Sequence, residues 1–275
     1  MPQPDAAASL FWNAVTRLGE AQILLPAALA LLLWMALHPA ARKLGQWWLA
    51  MIVLAAALTT ASKVAFIGFA IGVPEINFTG ISGHAMFAAV VYPPLARVLA
   101  AAQRPAGRCA ALAAGWALAL LVGASRWVVH AHSGSEVLAG LALGGAAGGL
   151  ALALAQAPAA RLPVWLPIGL AAWLLATPAN APPSPTHGMV TRLSLAVSGR
   201  SAPYTRAEML RDWRRRQRDQ LQIPDATRGA AAAGEPAVMV SGAVVDGQLL
   251  AGHDGAHRVE FDPALANPQH RVGPA

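Results

Sequence analysis

Charge is scarce in this chain. Of 275 residues only 20 are Lys or Arg and 13 are Asp or Glu, so charged side chains make up 12% against 56% hydrophobic ones. That balance, with a mean hydropathy of +0.47, excludes an ordinary soluble domain and is the composition of a membrane protein. Cysteine is nearly absent: Cys109 stands alone, which excludes an intrachain disulfide. The start, MPQPDAAASLFWNAVTRLGE, lacks a basic segment followed by an apolar run. No cleavable signal peptide is expected, and the first spanning segment serves as an uncleaved signal. A compact basic patch with interleaved aromatics is also missing from the apolar part. The formal charge of +7 is therefore read as membrane topology, and no nucleic-acid partner is expected.

What is present is a series of apolar stretches. A helix needs about 20 mostly apolar residues to cross a bilayer, and six segments are candidates: 21–37, 47–73, 84–102, 109–125, 136–156 and 163–178. The expected fold class is all-α, an integral membrane bundle of about six transmembrane helices with an appended C-terminal tail. Residues 1–19 are expected as an interfacial segment anchored by Phe11 and Trp12, 20–178 as the bundle, and 179–275 as an extramembrane tail. Pro93 and Pro94 should kink the third segment. Gly140, Gly144 and Gly148 recur every four residues in the fifth, a spacing that lets helices approach closely in lipid; small-residue filler is the alternative.

Loop charge sets orientation. Arg42 and Lys43, then Arg97, Arg104 and Arg108, then Arg161 fall on one side of a six-span bundle, which should be cytoplasmic. The other side, the periplasm of a bacterial inner membrane, receives the N-terminus, the 74–83 and 126–135 loops, and the tail. Within the tail a Pro-rich linker precedes an expected helix over 206–220, and a hairpin is expected around Asp246-Gly247.

An ionisable side chain at mid-bilayer costs about 2.5–3.5 kcal/mol on insertion scales. Nevertheless Lys63, His84, Arg126, His130, His132 and Glu136 all fall at the outer ends of these segments. Four distant pieces of sequence can thus converge on a pocket suited to an anion. Ser133 and Glu136 also fit a capping box at the start of the fifth segment, a role compatible with a place in the pocket. A zinc site from His84, His130 and His132 is the less favourable alternative. Histidines at i, i+2 do not share a helical face, and Arg126 would oppose a cation there.

Two of these stretches, GISGHAM (80–86) and SRWVVHAHSGSE (125–136), resemble the second and third motifs of the type 2 phosphatidic acid phosphatase superfamily. The third motif is Ser-Arg, five residues, His, three residues, Asp; here Ser125-Arg126 lead to His132 and then to Glu136 in place of Asp. The second is Pro-Ser-Gly-His, matched at Ser82-Gly83-His84 with Ile81 for Pro. The first is Lys, six residues, Arg-Pro; Lys63 fits its lysine, but Ala70 and Ile71 stand where Arg-Pro would. The resemblance covers roughly 20–178 and leaves the tail outside.

It implies a membrane phosphatase acting on a lipid phosphate or pyrophosphate, with no metal or cofactor. His132 would be the nucleophile, Glu136 its orienting partner, and His84 the acid and base. Arg126, Lys63, Ser82, Gly83 and Ser125 would bind substrate. His130 would be structural, because the spacing from Arg126 selects His132. A non-catalytic carrier of phosphorylated lipid is the rival from another class, and a lipid phosphotransferase the rival enzyme.

Overall fold

The computed structural model describes residues 6–155, 162–180 and 184–221. Among these residues all regular structure is helical. The order is α1 (Ala6–Arg17), α2 (Ala21–Leu37), α3 (Pro39–Phe69), a 3₁₀ turn (Pro74–Ile76), α4 (Gly83–Leu99), α5 (Pro105–Val128), α6 (Gly134–Leu154), α7 (Trp165–Asn180), α8 (Thr186–Ser198) and α9 (Arg206–Leu221). The all-α expectation is met. Arg161 and the expected Asp246-Gly247 hairpin lie outside the described residues.

By length and composition α3, α5 and α6 can each cross a membrane, and α1 with α2, bent by 43° at their junction, make a fourth if taken as one broken span. Hydropathy alone had suggested six. Part of the difference lies in α4, which has 17 residues and is sheathed by protein. The run 88–95 along it is buried throughout, as are Ala85 and Met86, and its main neighbours are α5 and α6. α7 is likewise a short apolar helix. The second hydropathy run, 47–73, also shifts. Pro39 starts α3 at a position where a missing N–H is harmless. Ala70 then ends the helix in a left-handed conformation, with φ of 58°.

Close helix approach at the centre depends on small residues. A Cβ on Gly144 would lie 2.2 Å from the Met86 carbonyl oxygen, and one on Gly140 would lie 2.6 Å from that of Ser82. The four-residue glycine repeat is thus the face on which α6 meets α4. Gly115 brings α5 equally near the backbone of Tyr92 and Pro93.

Pro93 and Pro94 lie inside α4. Because Pro94 has no N–H, the Val90 carbonyl four residues earlier has no helical donor. The Trp48 indole of α3 donates to that carbonyl at 2.8 Å, which satisfies a buried acceptor that would otherwise be left alone. The Tyr92 hydroxyl donates to Leu18 O at 2.8 Å and ties α4 to the α1–α2 junction.

The described part of the tail folds back on α3. Gly68 lets α8 approach closely, since a Cβ there would lie 3.0 Å from Ser194 O. Met209 of α9 is buried with Phe66 and Ile67, and the Tyr204 amide donates to Ile67 O at 3.0 Å. The helix expected over 206–220 is α9.

Candidate active site

Glu136 organises the centre. It sits in the first turn of α6, where a capping box with Ser133 starts the helix. Its side chain has no solvent exposure. A buried carboxylate needs a full complement of donors, and Glu136 has one. Oε1 accepts from the Thr79 amide at 2.7 Å and from the Thr79 hydroxyl. Oε2 accepts from His132 Nδ1 at 2.7 Å and from the Ser133 amide at 3.1 Å. Arg206 Nη2 bridges both oxygens at 2.8 Å. Capping and pocket roles therefore coexist in one residue.

His132 lies in the loop between α5 and α6. Two features of backbone place it there. His130 adopts φ of 54°, which reverses the chain, and the amides of Ala131 and His132 both donate to Arg126 O at 3.1 Å. His130 itself is exposed. With Nδ1 bound to Glu136, the His132 tautomer is fixed and Nε2 is the ring nitrogen left for other chemistry. Burial holds His132 below its ordinary pKa, and the nearby Lys63 and Arg126 charges act the same way, against the opposing pull of Glu136.

His84 is the second residue of α4. The charges of Arg126, His132 and Lys63 all act on it electrostatically, so these four residues share one centre. A Cβ on Gly19 would lie 2.9 Å from His84 Cβ and 2.5 Å from Val122, so only glycine lets the α1–α2 junction cover this histidine. Lys63, in the last two turns of α3, is also influenced by Glu136. Gly80, with φ of 132°, packs its backbone against Lys63, at 3.2 Å from Cγ for an added Cβ. Arg126 Nη1 donates to Thr16 Oγ1 at 2.8 Å, and Glu20 acts on it electrostatically. Its Nε is buried and has no partner among the described residues.

The remaining expected residues divide. The Gly83 amide opens α4, where first-turn N–H groups have no helical acceptor. The Ser82 amide instead donates to Glu136 O at 3.1 Å, and its fully buried hydroxyl has no partner among the described residues. The Ser125 hydroxyl turns back to Val122 O at 2.6 Å. Sequence reasoning missed Thr79, Thr16 and Arg206. Arg206 belongs to a helix more than sixty residues beyond Glu136, and the one local signal, Thr205-x-x-Glu208, marks only where that helix begins. Among the described residues no three His, Cys, Asp or Glu side chains group as metal ligands.

A helical, apolar chain whose helix ends gather three cations, two imidazoles and a carboxylate is, in class, a membrane-type protein with a polar centre. The chain belongs to the PAP2 superfamily, whose model matches residues 71–159. That stretch holds the second and third motifs and omits Lys63. The chain is also 34% identical over 202 residues to the "Uncharacterized 22.5 kDa protein in cps region" of Klebsiella pneumoniae, covering 72% of this chain and 97% of that protein. No solved structure matches the chain. Members of the family are phosphatases, which supports phosphoester hydrolysis as the general chemistry.

Proposed function

We propose that the protein is an integral membrane phosphatase that hydrolyses a lipid phosphate or pyrophosphate through a phosphohistidine on His132. The observation that carries this reading is the 2.7 Å contact from His132 Nδ1 to a buried, fully bonded carboxylate, with the other ring nitrogen left open beside Lys63, His84 and Arg126. His132 Nε2 attacks phosphorus as the bond to the leaving oxygen breaks, which splits one displacement into two easier ones. His84 gives its proton to that oxygen, then takes one from the water that displaces His132 and releases phosphate. Glu136 holds the Nδ1 proton and stabilises the cationic ring of the intermediate. Arg126, whose Nε lacks a partner among the described residues, binds phosphate oxygens, with Lys63 as a second charge. The Gly83 amide adds the N-terminal end of α4.

A lipid substrate is favoured because the centre lies at the ends of apolar helices, where a membrane-embedded bundle would meet head groups. The bundle is proposed to place it on the periplasmic side, since Arg42, Lys43, Arg104 and Arg108 lie at the opposite helix ends. The test is phosphate release from phosphatidic acid and from a polyprenyl pyrophosphate, by purified protein in detergent with EDTA. Release with EDTA present, together with labelled phosphate on His132 after an alkaline quench, is expected. No release from any phosphate ester, or label on His130, overturns the reading.

A further inference from the structure

Arg206 lies outside the region that the family model matches, yet it contacts both oxygens of the carboxylate at the centre. Nη2 spans both Glu136 oxygens at 2.8 Å and reaches Thr79 Oγ1 at 3.1 Å. Nη1 donates to Asn77 Oδ1 at 2.8 Å and Asn77 O at 3.1 Å. Both terminal nitrogens are therefore engaged with protein.

Its backbone is as firmly set as its side chain. Thr205 caps α9, with its amide and hydroxyl each donating to Glu208 at 2.7 Å. Tyr204 before the cap and Met209 in the first turn pack on the end of α3, in the manner of a hydrophobic staple. A cation in the first turn of a helix faces the positive end of the helix dipole. The carboxylate across from it offsets that local conflict, with Glu208 in the same turn favouring the helix end.

We propose that Arg206 is a positioning residue: it holds the Glu136 carboxylate in the rotamer that accepts from His132 Nδ1, and it offsets that carboxylate's charge so that His132 stays neutral with its Nε2 lone pair open. This rests on the assignment of His132 as nucleophile, and it extends the site into the tail. The groups that face His132 are Glu136 from α6, Arg126 from α5, Lys63 from α3 and His84 from α4, with His130 in its own loop. Removing the Arg206 charge leaves the Glu136 carboxylate to act on the ring without a counter-charge. Protonation of His132 becomes easier, and the neutral nucleophile is lost at a higher pH.

The experiment uses full-length Arg206→Gln and Arg206→Lys proteins in detergent. Two quantities are read. One is the ¹⁵N titration of the His132 ring, assigned with His132→Asn. The other is the pH profile of phosphate release from a short-chain phosphatidic acid. In Arg206→Gln the ring titration and the acid limb of kcat/KM should both move upward by about one pH unit. Turnover should fall on the order of 10- to 100-fold with KM changed little. Arg206→Lys keeps the charge, so its titration should return towards the parent value, while its Nδ1–H resonance moves because the bridge is lost. An unchanged titration in Arg206→Gln overturns the proposal, as does a raised KM at constant turnover, which would mean contact with substrate. If Arg206→Gln does not fold, an Nδ1–H resonance unchanged in Arg206→Lys overturns it and a displaced one supports it. A parent protein that releases no phosphate refutes the phosphatase assignment, and the ring titration still judges Arg206.

Discussion

Glu136→Gln is the most informative single change, because it keeps the shape of the side chain and reverses half of its hydrogen bonding. As a carboxylate, Glu136 accepts at both oxygens from Thr79, His132, Ser133 and Arg206. A glutamine amide accepts at one atom and donates at the other. If its nitrogen takes the Oε1 place, it opposes the Thr79 amide and the Arg206 guanidinium. If it takes the Oε2 place, it opposes the Ser133 amide and Arg206. There it also drives His132 to carry its proton on Nε2, so the nucleophilic lone pair is lost.

The first arrangement still costs the charge-assisted contact to His132, about 1.5–3 kcal/mol. At 1.36 kcal/mol per decade that is about 10- to 150-fold in rate, and any population of the second arrangement adds to it. Turnover in detergent micelles should therefore fall on the order of 100-fold, with KM little changed and with slower formation of labelled phosphohistidine in a rapid alkaline quench. Equal thermal midpoints for parent and variant would assign the loss to chemistry. Glu136→Gln at full turnover would refute the view that this carboxylate sets the His132 tautomer.

Burial, with Lys63 and Arg126 close by, holds His132 below its ordinary pKa, and the nucleophile must be neutral. Activity should therefore persist as pH falls to about 6.5, the ordinary histidine value, and decline only below it; a kcat/KM profile with its acid limb above that value contradicts this. The same lowered pKa means that the unfolded chain binds the proton first, so the His132 contribution to stability is present above about pH 6.5 and is lost as pH falls through the folded-state value. Arg126→Lys keeps the charge but removes the planar fork, so it should slow turnover by about 100- to 1000-fold. Lys63→Ala should cost less in the same assay, and equal losses would make Lys63 a direct phosphate ligand. Trp48→Phe removes the donor to Val90 O and should destabilise the bundle by about 1–3 kcal/mol, read as a lower unfolding midpoint in detergent with turnover unchanged while the protein stays folded.

The parts of this molecule that could be read from sequence are those with local signals. Apolar runs mark the helices, and Ser133-x-x-Glu136 marks the start of α6. The spacing from Arg126 to His132 and Glu136 marks the third motif, and four-residue glycine spacing marks the α4–α6 contact. The count of spans was less legible, because hydropathy cannot distinguish a helix bathed in lipid from one wrapped by protein. The buried run along α4 reads the same in both cases. Arg206 and Thr79 were illegible for a different reason. Their contacts to Glu136 are made across long stretches of chain, and nothing beside either residue records the partner. Asn77 likewise carries no sequence mark of its role: its left-handed φ of 53° belongs to the turn that offers its carbonyl and side chain to Arg206.

Several places where local rules are broken lie in the centre. Arg206 stands at the wrong end of a helix for its charge. Among the described residues Arg126 buries a guanidinium nitrogen without a partner, and Ser82 buries a hydroxyl in the same state. Other conflicts are met within the protein, since the Pro94 gap has Trp48 and the Glu136 carboxylate has a donor on every side, while Arg97 Nη1 and Trp213 Nε1, away from the centre, are also buried without a partner among the described residues. Sequences that specify one fold keep such conflicts few, and those that remain tend to mark function. Arg206 and Arg126 differ in what resolves them. The first is satisfied by Glu136 and so belongs to the framework of the site. The second has one donor without a partner among the described residues, and on the proposed function a phosphate oxygen accepts from it. On the proposed function, Arg206, with both terminal nitrogens bonded to protein, positions its neighbours, while Arg126, beside two imidazoles and a lysine, binds the phosphate.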